Sequence, residues 1–365
     1  MAGIGIPKIN ILFTGLGVSA FERGQKGLAV LILKDDTDKT FTFAEYKSIE
    51  DFTSLEQAKY TADNVQYIKD CLEGTPLKLI IARMDIAGVL ADILGLIKGK
   101  VGMNCWIAMA DALPAQTTDL VSWIKSSNTL SKKRYKLMAF DALASDDMHI
   151  VNFTNANVTF KDERGETTGD KAIPYLMGYL AGLSFDMSAP AKPLQKFESV
   201  EEPADLEIAV NAGKLVLFND EGSVRVVRGV NSLVTSGQGI TDDMKFILIV
   251  EQMDLVYSDI YTTWKNFYKS KYKNYLDNQM LLIGAINSYF RGLANSLILD
   301  PNFENKSKID LQKQRLANVS KYGEEDVAAW NDDKVMEMTV STNVFLNANL
   351  KFLNAMEDFN MEIFM

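Results

Sequence analysis

Strand-like and helix-like segments alternate through the first half of this chain, and that alternation limits its fold more than any other feature. The strand-like apolar runs are 28–33, 41–43, 77–82, 105–109, 135–140 and 149–153. The segments with helical spacing of apolar residues are 55–71, 86–97, 117–124 and 172–183. Strands and helices that take turns at this spacing predict a parallel sheet flanked by helices. In the last of these helices Gly178 and Gly182 lie four residues apart on one face, where another element can approach closely.

The second half of the chain follows a different pattern. After a charged, proline-containing segment at 189–203, two short apolar runs flank Asn219–Gly222, which has the composition of a tight hairpin. Long helical patterns at 242–269 and 277–299 predict a helical layer. Strand-like runs at 335–340 and 344–353 follow. The whole chain is therefore predicted to combine an α/β part with an α+β part.

Length, charge and composition exclude several classes of protein. At about 150 residues per domain, 365 residues predict two or three compact units. The net charge of -10 disfavours partners that reward a basic surface, such as nucleic acid or an anionic membrane. No run reaches the ~18 apolar residues of a membrane span, and the first residues lack the pattern of a secretory leader. With two cysteines, each inside an apolar element, we expect free thiols and a chain made in the cytosol.

Few residues of this sequence could carry catalysis or bind a metal. His149 is the one histidine, and without a G-x-S-x-G motif a structural role explains it as well as a catalytic triad does. Cys71 and Cys105, with that histidine, give no recognisable spacing of metal ligands. The adjacent acids at 146–147 and 324–326 are typical of a solvated surface.

The glycines give little support to nucleotide binding. Gly15, Gly17 and Ala20 fit a loose G-x-G-x-x-A pattern, but Gly24 and Gly27 follow where that fingerprint needs a helix. The sequence has no G-x-x-x-x-G-K-[ST] motif. We therefore expect no cofactor.

A lysine-rich stretch with interleaved aromatic residues lies near the end of the first long helical pattern. Its lysines are Lys265, Lys269, Lys271 and Lys273, and its aromatic residues are Trp264, Phe267, Tyr268, Tyr272 and Tyr275. Lysines favour the C-terminal end of a helix, so the end of a helix is one interpretation. A contact with an acidic protein surface is another, and a single-stranded nucleic-acid surface is the third.

Both ends of the chain are apolar. Near the start, glycines bracket a run that includes Ile9, Ile11, Leu12 and Phe13, and the chain ends on FNMEIFM, with Phe359, Met361, Ile363 and Phe364. A terminal apolar segment has little of its own chain to pack on, so it invites docking elsewhere. For the first run an edge strand of the first domain is the alternative.

The order of these pieces resembles the contractile tail sheath family. The string GKLVLFNDEGSVRVVRGVNSLVT at 213–235 resembles the family's hairpin and its R-G-[IV]-N-[ST]-L stretch. The helical strings at 245–260 and 278–293 resemble the two helices of its C-terminal domain. The segment at 7–15 resembles its N-terminal arm, and 344–365 resembles its final strands and C-terminal arm. Positions 35–170 match the family in the order of their strands and helices more than in amino-acid identity. The chain looks like a minimal version of the family.

This resemblance implies a structural subunit and not an enzyme. It implies an N-terminal arm at 1–20, the start of the core at 21–85, a subtilisin-like α/β sheath domain at 86–235, a C-terminal domain at 236–353 and a C-terminal arm at 354–365. Arms of neighbouring subunits would add strands to a third subunit. The implied partners are further copies in a helical polymer, an inner tail tube protein, and baseplate and tail terminator proteins, without nucleic acid or membrane insertion. The chain would assemble in the host bacterial cytoplasm and end in a phage or bacteriocin tail, where contraction drives the tube through a target envelope.

Two other classes of function remain open from the sequence. A doubly wound α/β enzyme would place titratable residues at the strand ends. A soluble binding module would be a stable monomer whose termini could be trimmed without effect.

Overall fold

The computed structural model describes residues 27–143 and 145–365. Its described residues form two compact units, an α/β unit of residues 27–255 with 354–365 and a C-terminal unit of residues 256–353. The segment with Ile9, Ile11, Leu12 and Phe13 lies outside the described residues. The five-part division at 20, 85, 235 and 353 stays a prediction.

The described strands are short and are concentrated in the α/β unit. They are β1 Leu28–Lys34, β2 Phe43–Tyr46, β3 Lys78–Met84, β4 Cys105–Met109, β5 Lys136–Phe140, β6 Ile150–Phe153, β7 Asn157–Phe160, β8 Glu166–Thr168, β9 Phe197–Val200, β10 Lys214–Leu215, β11 Leu217–Asp220, β12 Ser223–Val226, β13 Lys306–Ile309 and β14 Leu346–Asn349.

The helices of the described residues are α1 Ser54–Gln57, α2 Ala62–Glu73, α3 Leu90–Lys100, α4 Pro114–Ser131, α5 Ile173–Gly182, α6 Leu206–Asn211, α7 Ile247–Thr263, α8 Leu276–Asn295, α9 Leu311–Tyr322, α10 Glu324–Ala328 and α11 Asp332–Glu337. A π-helical turn, Trp264–Tyr268, continues directly from α7. No helix of the described ranges is long and apolar enough to cross a membrane.

A seven-stranded sheet with the order β10-β6-β5-β4-β1-β3-β2 forms the centre of the α/β unit. Its strands pair in parallel, except that β2 runs antiparallel to β3 at one edge. Ala29 to Leu33 in β1 are fully buried, because apolar clusters cover both faces of the sheet. Such a strand has a continuous apolar sequence, which explains why the predicted parallel sheet could be recognised from the run at 28–33.

Helix α5 lies unusually close to the end of α2, as the spacing of its glycines predicts. A side chain at Gly178 would overlap the backbone carbonyl of Cys71, and one at Gly182 would overlap the carbonyl of Gly74. Nine of the ten residues of α5 are buried. Close packing here therefore depends on the absence of two Cβ atoms.

Some predicted elements are wrong in type or extent. The helix predicted at 55–71 is interrupted, because the Thr61 side chain accepts a hydrogen bond from the Asn64 backbone and starts a new helix at Ala62. The first half of the strand predicted at 335–340 lies in helix α11, whose first turn is capped by the Asn331 side chain. The three-stranded sheet β8-β7-β9 has no counterpart among the predicted elements.

Candidate assembly surfaces

The last twelve residues, 354–365, have no helix or strand and expose most of their apolar side chains. We call them the C-terminal arm. Phe359 is 84% exposed and Phe364 is 89% exposed, and Met361 and Ile363 are exposed as well. Large apolar side chains clustered in solvent mark a surface that binds another molecule. All four predicted arm residues of this end thus lie uncovered in the single chain.

The start of the C-terminal arm is held by Arg228, which directly follows hairpin β11–β12. Its guanidinium Nη2 lies 2.5 Å from a carboxylate oxygen of Asp358, and its Nε lies 3.6 Å from Glu357. Glu357 is largely buried, and no described residue donates a hydrogen bond to either oxygen of its carboxylate. Sequence reasoning missed these contacts, since the two acids lie about 130 positions from the arginine.

The remainder of the R-G-V-N-S-L stretch is a buried connection. The Asn231 backbone donates to the carbonyl of Lys245 and its side chain donates to the carbonyl of Met244. The Ser232 backbone donates to the carbonyl of Ile150 in β6. The stretch therefore joins β6, the strand next to the edge strand β10, to the segment that leads into α7.

The C-terminal unit contains a two-stranded antiparallel sheet, β13–β14, with register Lys306 to Asn349 and Ile309 to Leu346. Among the described strands, β13 and β14 pair only with each other. On β13 the outward backbone N–H and C=O of Ser307 are hydrogen-bonded to the Asn287 side chain of α8, so in the part of the chain that the structure describes the edge without a partner is that of β14. Three of the four β14 residues are exposed. Such an edge is a template for an added strand.

The four lysines of the predicted contact lie at the C-terminal end of α7 and in the loop after it. Lys265 is in the π-helical turn, and Lys269, Lys271 and Lys273 follow it. All four are exposed, and none forms an ion pair with another described residue. The neighbouring aromatic rings Tyr261, Phe267, Tyr272 and Tyr275 are about half exposed. This cationic segment, residues 261–275, presents charge and rings together, which suits an acidic protein surface.

A doubly wound enzyme would have its site at the carboxyl ends of the parallel strands. In this chain the aspartates at these strand ends accept hydrogen bonds from nearby residues. The Asp35 side chain is fully buried, and its pKa is lowered because three hydrogen-bond donors outweigh the effect of burial. Other polar groups engage the aspartates after β3 and β4 in the same way. The pairs are Asp35 with Thr61, Asp85 with Arg83, and Asp111 with Tyr67. Asp35 and Asp111 therefore bind the N-cap residue and a side chain of α2, whereas Asp85 pairs with an arginine at the end of its own strand.

His149 lies in a buried cluster of charges in the α/β unit. Its Nε2 is 3.2 Å from Asp254 and its Nδ1 is 3.6 Å from Asp147. Lys136, also buried, lies 2.8 Å from Glu251 and 3.8 Å from Asp254. Burial opposes the charge of His149, but the two aspartates outweigh it and raise its pKa to about 9. The ion pairs join β5 and the start of β6 to α7, which is the structural role that the sequence left open for this histidine.

Neither the cysteines nor the acidic groups form a metal centre in the described ranges. Cys71 and Cys105 are free and fully buried, and burial raises the pKa of each thiol, that of Cys105 to about 12. No described group of three histidine, cysteine, aspartate or glutamate residues has the geometry of a metal site.

Comparisons with known proteins agree on one family. The model of the phage tail sheath C-terminal domain matches residues 241–365. The tail sheath protein of Clostridium phage phiCD119 is 31% identical over 369 residues, which cover 98% of this chain and 99% of that protein.

Solved structures have the same fold at lower identity. The sheath tail protein of Listeria innocua is 14% identical, covers 93% of this chain and 99% of its own, and has a TM-score of 0.69. The sheath tail protein of Desulfitobacterium hafniense is 12% identical, covers 79% of this chain and 91% of its own, and has a TM-score of 0.66. The helical sheath of the anti-feeding prophage in its contracted state is 12% identical, covers 93% of each chain and has a TM-score of 0.65. The predicted mixed class of α/β and α+β is thereby confirmed, whereas the subtilisin-like label stays a prediction.

Proposed function

This chain belongs to the contractile tail sheath family, and from that premise we propose that it polymerises around an inner tail tube and contracts to drive the tube through a target envelope. The family is structural. The observation that carries the proposal for this chain is the coexistence of an uncovered apolar C-terminal arm and a two-stranded sheet with an open edge at β14.

The proposed link between subunits is strand addition by the arms. An extended segment can add to the free edge of β14 through backbone hydrogen bonds, and its apolar side chains supply further burial. Residues 359–365 extended at ~3.3 Å per residue reach ~23 Å, which is enough to bridge to an adjacent subunit. Each backbone hydrogen bond contributes ~1 kcal/mol net, and burial of Ile363 and Phe364 adds ~25 cal/mol per Å² of apolar surface. Ile9, Ile11, Leu12 and Phe13 are proposed to act in the same way from the other terminus.

Such contacts join one patch of a subunit to a different patch of the next. They propagate into a helical tube and do not close as a dimer. Contraction then requires an extended lattice that is metastable and a contracted lattice of lower free energy. The anti-feeding prophage sheath, whose fold this chain has, is known as a helical sheath in a contracted state.

The proposal includes partners besides further copies of the chain. We place the inner tube protein, the baseplate and the tail terminator among them, with assembly in the bacterial cytoplasm before the chain becomes part of a particle. A baseplate is the setting of one solved relative, that of the anti-feeding prophage. No catalytic activity is included, and the engaged aspartates at the sheet edge support that part of the proposal.

The cationic segment is proposed to contact the tube or a neighbouring subunit. Its four lysines have no ion-pair partner among the described residues, so an acidic surface can pair with them at little cost. Reversing Lys269 and Lys273 to glutamate should weaken assembly on tubes, whereas reversing Lys321 and Lys334, exposed lysines elsewhere in the C-terminal unit, should not. Equal assembly of both variants would rule this contact out.

The first experiment compares the intact chain with a chain that lacks residues 1–16 and 358–365. Both are concentrated, with and without a tube protein, and examined by negative-stain electron microscopy. Tubes or sheath-like rings from the intact chain and monomers from the trimmed one are expected. If both remain monomeric when a tube protein is supplied, arm-linked polymerisation is wrong for this chain.

A further inference from the structure

Arg228 contacts the C-terminal arm at the last two residues before the arm becomes fully exposed to solvent. The guanidinium lies 2.5 Å from Asp358 and 3.6 Å from Glu357, and the next residue, Phe359, is 84% exposed. After Asp358 every described apolar side chain is exposed. The held part of the arm thus ends at residue 358 and the free part begins at 359.

We propose that Arg228 is the anchor of the C-terminal arm: it clamps Glu357 and Asp358 to the α/β unit so that residues 359–365 leave in a fixed direction toward a second copy of this chain. This inference rests on the proposed function and deepens it, since it names the residue that positions the arm and the length of arm available to the partner.

The geometry supports an anchor more than an incidental surface ion pair. Arg228 follows directly from the β11–β12 hairpin, and the Ile247 backbone donates to the carbonyl of Gly229, so the backbone beside the guanidinium is fixed on both sides. The arm has no helix or strand of its own to set its direction. Fixing its start removes conformational freedom before the partner is met, and a segment ordered in advance binds more tightly.

Glu357 gives an independent reason to expect a partner at this point. Its carboxylate oxygens are buried, yet no described residue donates a hydrogen bond to them, and Arg228 approaches no closer than 3.6 Å. A buried carboxylate without donors is costly. A neighbouring copy that covers the start of the arm can supply the missing backbone or side-chain donors, so the anchor becomes better satisfied in the polymer than in the single chain.

The chain provides a matched control in Arg225. Its side chain is 32% exposed against 31% for Arg228, and it forms an ion pair of 2.9 Å with Asp220 of its own hairpin. Removing Arg225 deletes an ion pair within the hairpin, and removing Arg228 deletes its two contacts with the arm, from side chains of nearly equal exposure. Of these two arginines, Arg228 is the one that forms ion pairs with the arm.

The test uses the full-length chain and two measurements. Arg228→Ala should raise the concentration needed for polymerisation about ten-fold, which corresponds to about 1.4 kcal/mol per subunit. Arg225→Ala should leave it within about two-fold, and Arg228→Asp combined with Asp358→Arg should restore most of the loss. An Arg228→Ala chain that polymerises like Arg225→Ala would overturn the anchor.

The second measurement decides the anchor in single chains, so it separates failure of the anchor from failure of the proposed function. Spin labels are attached at Met361→Cys and Glu221→Cys, since the native cysteines are fully buried. A narrow distribution of label distances is expected with Arg228 present, a broad one with Arg228→Ala, and no broadening with Arg225→Ala. Equal widths in all three would refute the anchor even if the chain polymerises, whereas a monomeric chain with the expected widths would refute the proposed function alone.

Discussion

The charged state of His149 can be tested through the pH dependence of stability, with His149→Gln as the perturbation. Folding raises the pKa of this histidine from 6.5 to about 9, so the folded state binds a proton more tightly than the unfolded state does. A raised pKa contributes stability that is fully present below about pH 6.5 and is lost as the pH rises through about 9. At 1.36 kcal/mol per pKa unit this amounts to about 3 kcal/mol. The imidazole is almost entirely buried, so solvent screening does not reduce the figure greatly.

The assay is denaturant unfolding of the wild-type chain and the His149→Gln variant at intervals from pH 5.5 to pH 10. The difference between their free energies of unfolding is the quantity of interest, because the two proteins share every ionisable group except His149. We expect the difference to be constant in the acid range and to fall by about 3 kcal/mol between pH 6.5 and pH 9.5. A difference that stays constant over the whole range would mean that His149 is neutral in its cluster, and the account of the ion pairs would be refuted.

Three further predictions concern packing, buried charge and thiol chemistry in the α/β unit. Gly178→Ala should lower the free energy of unfolding in urea by several kcal/mol or abolish soluble protein, because the new methyl overlaps a backbone carbonyl of α2. Gly95→Ala, where the new methyl has no neighbour within 4 Å, should be neutral or stabilising by about 0.5–1 kcal/mol. Equal effects of the two substitutions would contradict the close approach of the helices. Asp70→Asn should destabilise by about 1.5–3 kcal/mol in the same assay, because Arg164 and Lys196 lose a fully buried charged partner and keep only their more exposed partners Asp162 and Glu73. A loss below 1 kcal/mol would show that those two carboxylates are sufficient. Cys71 and Cys105 should react with a thiol reagent at pH 8 only after unfolding, since burial raises both pKa values, and rapid labelling of the folded chain would contradict their burial.

The elements that could be predicted from the sequence are those whose pattern is set by burial on a sheet. β1, β3, β4 and β5 are covered on both faces, and continuous apolar runs revealed them all. The hairpin β11–β12 was recognisable because its turn residues have a distinctive composition, and Glu221 and Gly222 do adopt positive φ there.

The elements that were missed depend on contacts distant in sequence. β7 and β9 are four residues each, and they form a sheet only because they pair with each other across some forty positions. The run at 335–340 has a strand-like composition, but the cap at Asn331 and the acidic first turn of α11 decide in favour of a helix. Local composition cannot reveal which distant residue supplies a partner.

The candidate assembly surfaces divide in the same way. The apolar residues of the C-terminal arm could be selected from the sequence, because an apolar terminus is unusual in water, and they are exposed in the single chain. The anchor at Arg228 could not, since its partners Glu357 and Asp358 are close only after folding. Whether the arm residues and the four lysines contact other subunits stays a prediction.

The open edge of β14 also has a consequence for the chain before it is incorporated into a sheath. A free edge accepts any extended segment, including one from a misfolded or foreign chain, so newly made subunits risk being joined in the wrong order. Lys306 and Lys308 are exposed on β13, and charged side chains on an edge strand discourage indiscriminate pairing. Between synthesis and incorporation, the two lysines would then slow the addition of wrong segments. A correctly positioned arm would still add, because it is held close to the edge at a high local concentration.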